Sequence, residues 1–228
     1  MTEQLTFDGA QQMAEAMAAR FVSEAQKAIA ARGRFVVGLT GGSAAKTLYP
    51  TMLGSPCDWS RVHFFFGDER KVPPDHPECN FRAVRDAWLS KPQGVHIHAV
   101  HTELAAEAAA EEYASELAPF LPFDVVHLGM GPDGHVASLF PGHPLLDEKK
   151  LDVSWLGDSP KPPPVRITVT LPVLAQARQL WFLVQGAPKA EAVRAALKDP
   201  SSKLPAALAH RSAKQSVWFL DKPAAAQL

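Results

Sequence analysis

The chain has 228 residues, of which 46% are hydrophobic and 21% charged, proportions typical of a globular protein with a sizeable core. Its net charge of −1 provides no overall field that would attract nucleic acid or an anionic membrane. Its two cysteines, Cys57 and Cys79, form neither a disulfide framework nor a metal-site spacing, and no run of about 18 apolar residues could cross a membrane.

Strand-like and helix-like segments alternate along the chain. Residues 1–10 contain acids and no apolar signal region, so we expect no signal peptide and a cytoplasmic protein. Apolar residues at helical spacing predict a long amphipathic helix over 11–31 that ends near Gly33. The next predicted elements are a strand at 34–39, a helix at 44–53, a strand at 62–66, a helix at 80–89 and a weaker strand at 95–100. A helix at 103–117, strands at 123–128, 165–171 and 179–184, a helix at 188–197 and a strand at 216–220 complete the series.

The predicted strands are nearly continuous apolar runs, which is typical of strands covered on both faces. Their alternation with helices indicates βαβ units. We therefore expect a single α/β domain over residues 1–228, with a Rossmann-like, mostly parallel sheet and helices on both faces. Ligands of such sheets bind at the loops that follow the strands, and three of these loops are unusually polar.

The first polar loop, Thr40 to Ser43, lies between a predicted strand and a predicted helix. Gly41 and Gly42 allow backbone N–H groups to approach an anion, and the helix N-terminus adds partial positive charge. Ser43 or Thr40 adds a hydroxyl. The loop matches neither the Walker motif nor the full dinucleotide fingerprint. Taken alone, it fits a tight turn without a ligand equally well.

The second loop places three consecutive charged residues, Asp68, Glu69 and Arg70, directly after the strand at 62–66 and Gly67. Such a segment is either a solvated loop or a binding loop. In a binding loop, Asp68 would accept a hydrogen bond from a sugar hydroxyl, and the planar guanidinium of Arg70 would bind a phosphate or carboxylate.

The third loop, Leu128 to His135, is rich in glycine and presents Asp133 and His135 after a buried strand. Imidazole titrates near neutrality and is the usual general base for activating water. Asp133 can orient that imidazole or stabilise its charged form. His96, His98 and His101 lack a partnering cluster of cysteines or carboxylates, so we expect no metal site. No nucleophile elbow is present, and an acyl-enzyme mechanism is not supported.

Two further cations stand near strand or helix ends. Arg166 follows the proline-rich run 159–164, which is either a surface connector or a stiff segment that delivers Arg166 into a site. Lys189 opens a helix after a strand and is a candidate second phosphate clamp. Together with the three loops, these residues favour a phosphate-bearing substrate and acid/base chemistry.

These motifs resemble the 6-phosphogluconolactonase family. The matching segments are 38–43, 65–73 with Asn80 downstream, 128–142 and 159–168, and they follow one another in the family's order over most of the chain. The resemblance implies hydrolysis of a phosphosugar lactone of the pentose phosphate pathway by a Rossmann-like domain that requires no nucleotide, cofactor or metal.

The resemblance also implies roles for individual residues. His135 would be the base that activates water, with Asp133 beside it and Asp68 near the sugar ring. The residues around the phosphate and the sugar would be Gly41, Gly42, Ser43, Arg70, Asn80, Arg166 and Lys189. The implied partner is this small molecule alone, without nucleic acid or membrane, and we expect a monomer.

Two other functions stay open. Phosphosugar deaminases of the same superfamily share the glycine loop and the Asp-Gly-His turn, but a glutamate follows their turn where this chain has Ser138 to Pro141. A non-catalytic phosphosugar-binding protein would keep the glycine loop and the cations but would lack the histidine. An assay of lactone hydrolysis at neutral pH separates these functions.

Overall fold

The computed structural model describes residues 1–228, which form ten strands and seven α-helices. The strands are β1 (Thr2–Phe7), β2 (Phe35–Leu39), β3 (Val62–Phe66), β4 (Asp68–Arg70), β5 (His96–Ile97), β6 (Val125–Leu128), β7 (Val153–Leu156), β8 (Arg166–Val169), β9 (Gln179–Val184) and β10 (Ser216–Asp221). The helices are α1 (Ala10–Arg32), α2 (Gly42–Thr47), α3 (Asn80–Val84), α4 (Ala106–Leu117), α5 (Leu171–Gln176), α6 (Ala190–Lys198) and α7 (Pro205–Ser212). None of the helices combines the length and the apolar character that a membrane span requires.

Seven parallel strands form the main sheet, in the spatial order β1-β10-β9-β6-β2-β3-β5. From β2 the chain builds outward through β3 to β5, then returns to β6 on the other side of β2 and builds outward through β9 and β10. The strand order therefore reverses between β2 and β6. In open α/β sheets the carboxyl ends of two such strands flank a ligand-binding crevice.

Helices cover both faces of the main sheet, as the apolar strands predict. Alternate residues of each strand face opposite sides, so in β2 Val36 joins one core while Phe35, Val37 and Leu39 join the other. Helices α4 to α7 pack on the first face, and α1 with α2 packs on the second. The prediction of a Rossmann-like α/β fold is thus confirmed.

The N-terminal helix illustrates how the sequence determines an element boundary. Its buried residues, among them Met13, Met17 and Phe21, recur at helical spacing on one face. The helix ends where Gly33 adopts a left-handed conformation with φ of 75° and donates its N–H to the carbonyl of Ile29. Glycine adopts this conformation without steric cost, so the predicted end near Gly33 is observed.

A second, antiparallel sheet of three strands, β4-β8-β7, stands beside the main sheet. It pairs Asp68 with Thr168 and places Arg70 opposite Arg166. Its apolar residues Ile167 and Val169 join the same core as helices α4 to α7. The small sheet thereby places the second polar loop, residues 68–70, beside the strand that carries Arg166.

Several predicted elements are shorter than expected. The strand predicted over 95–100 is β5, only His96–Ile97, and the helix predicted over 80–89 is α-helical only to Val84, with a π-helical turn after it. The helix predicted over 44–53 is α2, which starts at Gly42 and ends at Thr47, and a 3₁₀ turn follows at Tyr49–Met52. Proline at 50 lacks the N–H that a continuous α-helix would use there. The strand predicted over 165–171 ends at Val169, and Leu171 begins α5.

Candidate active site

A cleft of about 300 Å³ lies at the carboxyl ends of β2 and β6, where the strand order reverses. The loops that follow these two strands are joined by a 3.3 Å hydrogen bond from Gly129 N–H to Thr40 Oγ1. The predicted site residues that line the cleft are Gly41, Gly42, Ser43, Asp68, Arg70, Asn80, His135, Arg166 and Lys189. Asp133, the remaining predicted residue, does not line the cleft but contacts His135.

The His135 imidazole is paired with the Asp133 carboxylate, with 2.5 Å between Nδ1 and Oδ1. This pairing fixes the tautomer, because Nδ1 carries the proton that it donates and Nε2 is left as the basic nitrogen. Burial lowers the pKa of His135, and the Asp133 charge opposes only part of that effect. The ring is therefore neutral at physiological pH and able to accept a proton.

Close backbone packing sets the position of the His135 ring. A Cβ on Gly131 would lie 2.0 Å from His135 Nδ1 and 2.3 Å from Asp133 Oδ1. On its other side the imidazole contacts the Phe140 ring, with 4.8 Å between centroids. The absence of a side chain at 131 therefore gives the His-Asp pair its space.

Lys161 is a cleft residue to which the sequence assigned no role. Its ammonium lies 3.1 Å from Asp133 Oδ2 and 3.3 Å from His135 Nδ1. Burial raises the pKa of Asp133, but hydrogen bonds and charges from His135 and Lys161 outweigh it and bring the pKa to about 2. Asp133 thus remains an anion that holds both partners.

Asp68 is 7% exposed and is fixed by neighbours on several sides. Its Oδ2 accepts a 2.7 Å hydrogen bond from Ser138 Oγ and lies 3.9 Å from Arg166 Nη1. Its Oδ1 accepts a hydrogen bond from Asn80 Nδ2, at 3.3 Å. Ser138 belongs to the loop that carries His135, so Asp68 connects the second polar loop to the third.

Asn80 also supports the glycine loop. A Cβ on Gly41 would lie 1.9 Å from Asn80 Oδ1, so only glycine fits at this contact. The following residue, Gly42, has φ of 63°, a conformation that favours glycine. Gly42 and Ser43 are both exposed, at the start of α2.

Arg166 is 4% exposed and is held by the proline-rich run. Its Nη2 donates to the carbonyls of Lys161 and Pro162, and its Nε donates to the carbonyl of Pro163. The run therefore wraps around the guanidinium and fixes it at the cleft, which favours the second of the two roles considered for this segment. Nη1 makes no hydrogen bond to these carbonyls and faces Asp68.

Arg70 and Lys189 complete the cationic lining. Arg70 donates through Nη1 to the Glu78 carbonyl and carboxylate, while its buried Nε has no partner in the protein. Lys189 donates to the carbonyl of Met130. Burial and the nearby Lys161 charge lower the pKa of Lys189, so this ammonium would be stabilised by a bound anion.

The histidines outside the cleft have other partners. His98 contacts Glu116, His101 contacts Glu112, and His96 contacts the carbonyl of Ser60. No group of three or more His, Cys, Asp or Glu side chains is arranged to hold a metal ion.

The chain matches the family model described as glucosamine-6-phosphate isomerases/6-phosphogluconolactonase over residues 8–218. A probable 6-phosphogluconolactonase 4, chloroplastic, from Oryza sativa subsp. indica is 42% identical, with 99% of this chain and 76% of that protein covered. The 6-phosphogluconolactonase of Streptomyces coelicolor is 41% identical over 95% of this chain and 90% of its own length. The human 6-phosphogluconolactonase is 40% identical over 96% of this chain and 91% of its own length.

Solved structures agree with these sequence matches. The 6-phosphogluconolactonase of Thermotoga maritima superposes with a TM-score of 0.87 at 31% identity, covering 97% of this chain and 100% of that one. The enzyme from Trypanosoma brucei superposes with a TM-score of 0.89 at 28% identity, covering 100% and 99%. The similarity therefore extends over the whole fold.

Proposed function

The chain belongs to the glucosamine-6-phosphate isomerase/6-phosphogluconolactonase family, and we propose that it hydrolyses 6-phospho-D-glucono-1,5-lactone to 6-phosphogluconate in the oxidative pentose phosphate pathway. One observation carries the chemistry of this proposal: the neutral His135, oriented by Asp133, stands in a cleft lined by cations. These cations are Arg70, Lys161, Arg166 and Lys189.

In the proposed reaction His135 Nε2 removes a proton from water, whose oxygen attacks the lactone carbonyl carbon. Asp133 stabilises the imidazolium that forms, through the 2.5 Å contact to Nδ1. A positioned base of this kind contributes on the order of 10²–10⁴-fold. When the tetrahedral intermediate collapses, the bond from the carbonyl carbon to the ring oxygen breaks. His135 then returns the proton to that oxygen, which leaves as a hydroxyl group.

The cationic lining serves two purposes in this proposal. Negative charge develops on the carbonyl oxygen during attack, and a cation or N–H group aimed at it lowers the barrier. The substrate phosphate binds far from the reacting carbon and supplies binding energy for orientation. We assign phosphate binding to Arg70 and Lys189, with Arg166 at either the phosphate or the carbonyl. Asp68 and Asn80 then face the sugar ring.

The experiment follows 6-phosphogluconate formation from freshly generated lactone at neutral pH, with spontaneous hydrolysis as the baseline. We expect acceleration well above this baseline and no ammonium release from glucosamine 6-phosphate. Ammonium release without lactone hydrolysis would assign the chain to the deaminases. Phosphosugar binding without turnover of either compound would make it a non-catalytic binding protein.

The remaining expectations are part of the same proposal. The chain acts as one domain over residues 1–228 and as a monomer, on a small molecule and without nucleic acid. No step is assigned to a metal or a cofactor. A cytoplasmic location is proposed for this chain, although the rice relative is named a chloroplastic protein.

A further inference from the structure

Glu69 is a buried carboxylate with no part in the chemistry described above. It is 1% exposed and stands between two cleft residues, Asp68 and Arg70. Side chains alternate across a strand, so in β4 the side chains of Asp68 and Arg70 face the cleft while that of Glu69 points away from it. Burying a carboxylate is costly unless it is well hydrogen-bonded, so its contacts indicate its purpose.

The Glu69 carboxylate binds the start of α3. Oε1 accepts 2.7 Å hydrogen bonds from the N–H groups of Asn80 and Arg70. Oε2 accepts a 2.8 Å hydrogen bond from Phe81 N–H and a 3.5 Å contact from the Cys79 thiol. One carboxylate thereby fixes the backbone on both sides of Asn80 to the strand that carries Asp68.

Asn80 transmits this constraint to the cleft. Its side-chain amide donates to the Asp68 carbonyl at 2.9 Å and to the Asp68 carboxylate at 3.3 Å. Its Oδ1 packs against Gly41 so closely that a Cβ there would overlap it. A shift of the α3 start would therefore displace both Asp68 and the glycine loop.

We propose that Glu69 is a positioning residue for lactone hydrolysis, acting through Asn80 to hold Asp68 and the Gly41 loop at the geometry that the substrate requires. The inference rests on the proposed function. Glu69 itself touches no substrate. Its carboxylate accepts these hydrogen bonds best when it is ionised, because protonation converts part of its acceptor capacity into a donor.

The charge of Glu69 is sensitive to pH near neutrality. Burial raises its pKa to about 7, while the three backbone N–H groups oppose that rise. The other ionisable groups that face it are Asp68 on its own strand, Cys79 at α3, Tyr113 on α4 and Arg166 on β8. As the pH falls through about 7, Glu69 takes up a proton and its hold on Asn80 weakens.

The test compares Glu69→Gln with Asp124→Asn, a matched control. Asp124 is also a buried carboxylate that accepts a backbone hydrogen bond, from Val36 N–H, but it lies outside the cleft. Unlike Glu69 it also pairs with Arg32 and Arg178, so its replacement is at least as severe a test of stability. Both variants are expected to lower Tm. Only Glu69→Gln is expected to lower kcat/KM, by about tenfold or more, because small displacements of positioned groups are costly. Hydrolysis of the lactone by the wild-type chain tests the proposed function separately.

A double-mutant cycle with Asn80→Ala examines the route of the effect. If Glu69 acts through Asn80, Glu69→Gln adds little to the loss of kcat/KM caused by Asn80→Ala, whereas independent effects multiply.

The pH profile provides a second readout. In a plot of log kcat/KM against pH, the acid limb of the wild type is expected to have a slope above one, because both His135 and Glu69 take up a proton. The acid limb of Glu69→Gln is expected to have a slope of one. The proposal is overturned if Glu69→Gln keeps kcat/KM within about twofold of wild type. If that variant does not fold, the proposal is overturned instead by an Asn80→Ala variant that keeps kcat/KM within about twofold of wild type, because the proposed route runs through the Asn80 amide.

Discussion

The chemistry assigned to His135 depends on a single contact, the 2.5 Å hydrogen bond to Asp133. The contact determines which ring nitrogen is basic, and the partly buried site keeps the imidazole neutral by lowering its pKa. A group whose pKa is lowered this way is deprotonated, and so competent as a base, at neutral pH. The reactivity of the site is thus a property of a residue pair rather than of a lone histidine.

We predict that His135→Asn and His135→Ala fold normally but lose most lactonase activity. The expected fall in kcat is about 10²-fold or more, the range of a general base. Steady-state kinetics and thermal unfolding measure the two effects. His101→Asn, at an exposed histidine that contacts Glu112, is the control and should retain wild-type rates. A His135 variant with more than about a tenth of wild-type kcat would show that another group is the base.

We predict that Arg70→Met and Lys189→Met act mainly on substrate binding. Each cation lines the cleft and can bind an anion there: Arg70 has a buried Nε without a partner, and the Lys189 ammonium would be stabilised by a bound anion. Loss of either cation should therefore raise KM strongly. The preference for phosphorylated over unphosphorylated lactone should disappear in both variants. Lys198→Met, at an exposed lysine of α6, is the control for charge alone. A lower kcat with unchanged KM and unchanged preference would contradict the assignment to phosphate.

The site residues that the sequence predicts and those that it misses differ in how far their partners lie along the chain. Asp133 and His135 are two positions apart in one loop, so their pairing is evident from local spacing. Lys161 joins them from a segment 26 positions beyond His135. Ser138 lies only three positions beyond His135, but its partner Asp68 is 70 positions away. Contacts of this kind depend on the tertiary fold and leave no local pattern.

At the scale of the elements, apolar strands were predictable and polar ones were not. The strands of the main sheet interior are buried on both faces and appear as apolar runs. β1, by contrast, alternates exposed and half-buried residues at the sheet edge, and β4 consists of three charged residues. β7 exposes Trp155 on an antiparallel sheet that no pattern indicated. Helices α5 and α7 are short, which leaves little periodicity to detect.

We predict that Gly131→Ala inactivates the protein more than it destabilises it. The added Cβ would overlap His135 Nδ1 and Asp133 Oδ1, both side-chain atoms, so the His-Asp pair must move apart. Displacement of a base by about 1 Å can cost on the order of 10²-fold in rate. Gly9→Ala is the control, because a Cβ there meets nothing within 4 Å. Wild-type kcat in Gly131→Ala would mean that the pair does not need its observed geometry.

At the scale of the whole molecule, the parallel topology follows from the alternation of strands and helices, and it places the polar loops at one edge. The cleft, however, also needs the antiparallel sheet, which sets Arg70 opposite Arg166. That sheet joins β4 to β7 and β8, which lie far beyond it in the chain, and only β8 overlaps a predicted strand. The sequence therefore predicts where the cleft lies more completely than it predicts the antiparallel sheet that lines it.

The main sheet contains a buried histidine that couples stability to pH. His127 in β6 is 1% exposed, contacts the Tyr49 hydroxyl at 3.2 Å and stacks on Trp181. Burial lowers its pKa from 6.5 to about 3. Between these values the unfolded chain binds a proton that the folded chain does not. The contribution to stability is therefore complete above about pH 6.5 and declines as the pH falls towards 3.

We predict that His127→Phe flattens this dependence. Phenylalanine keeps the stacking but cannot titrate, so the slope of unfolding free energy against pH should fall by about 1.4 kcal/mol per pH unit between pH 6 and pH 4. At pH 7 we expect only a small change in stability. The Tyr49 hydroxyl loses its contact with His127 but still accepts the Thr40 N–H, and the variant removes the buried His127 Nε2, which has no partner. Urea unfolding at each pH measures both effects, with the exposed His101→Asn as control. Parallel pH curves for the variant and the wild type would show that His127 is protonated in the folded protein or that another group dominates acid unfolding. His63, whose pKa burial lowers to about 4, is the next group to replace in that event.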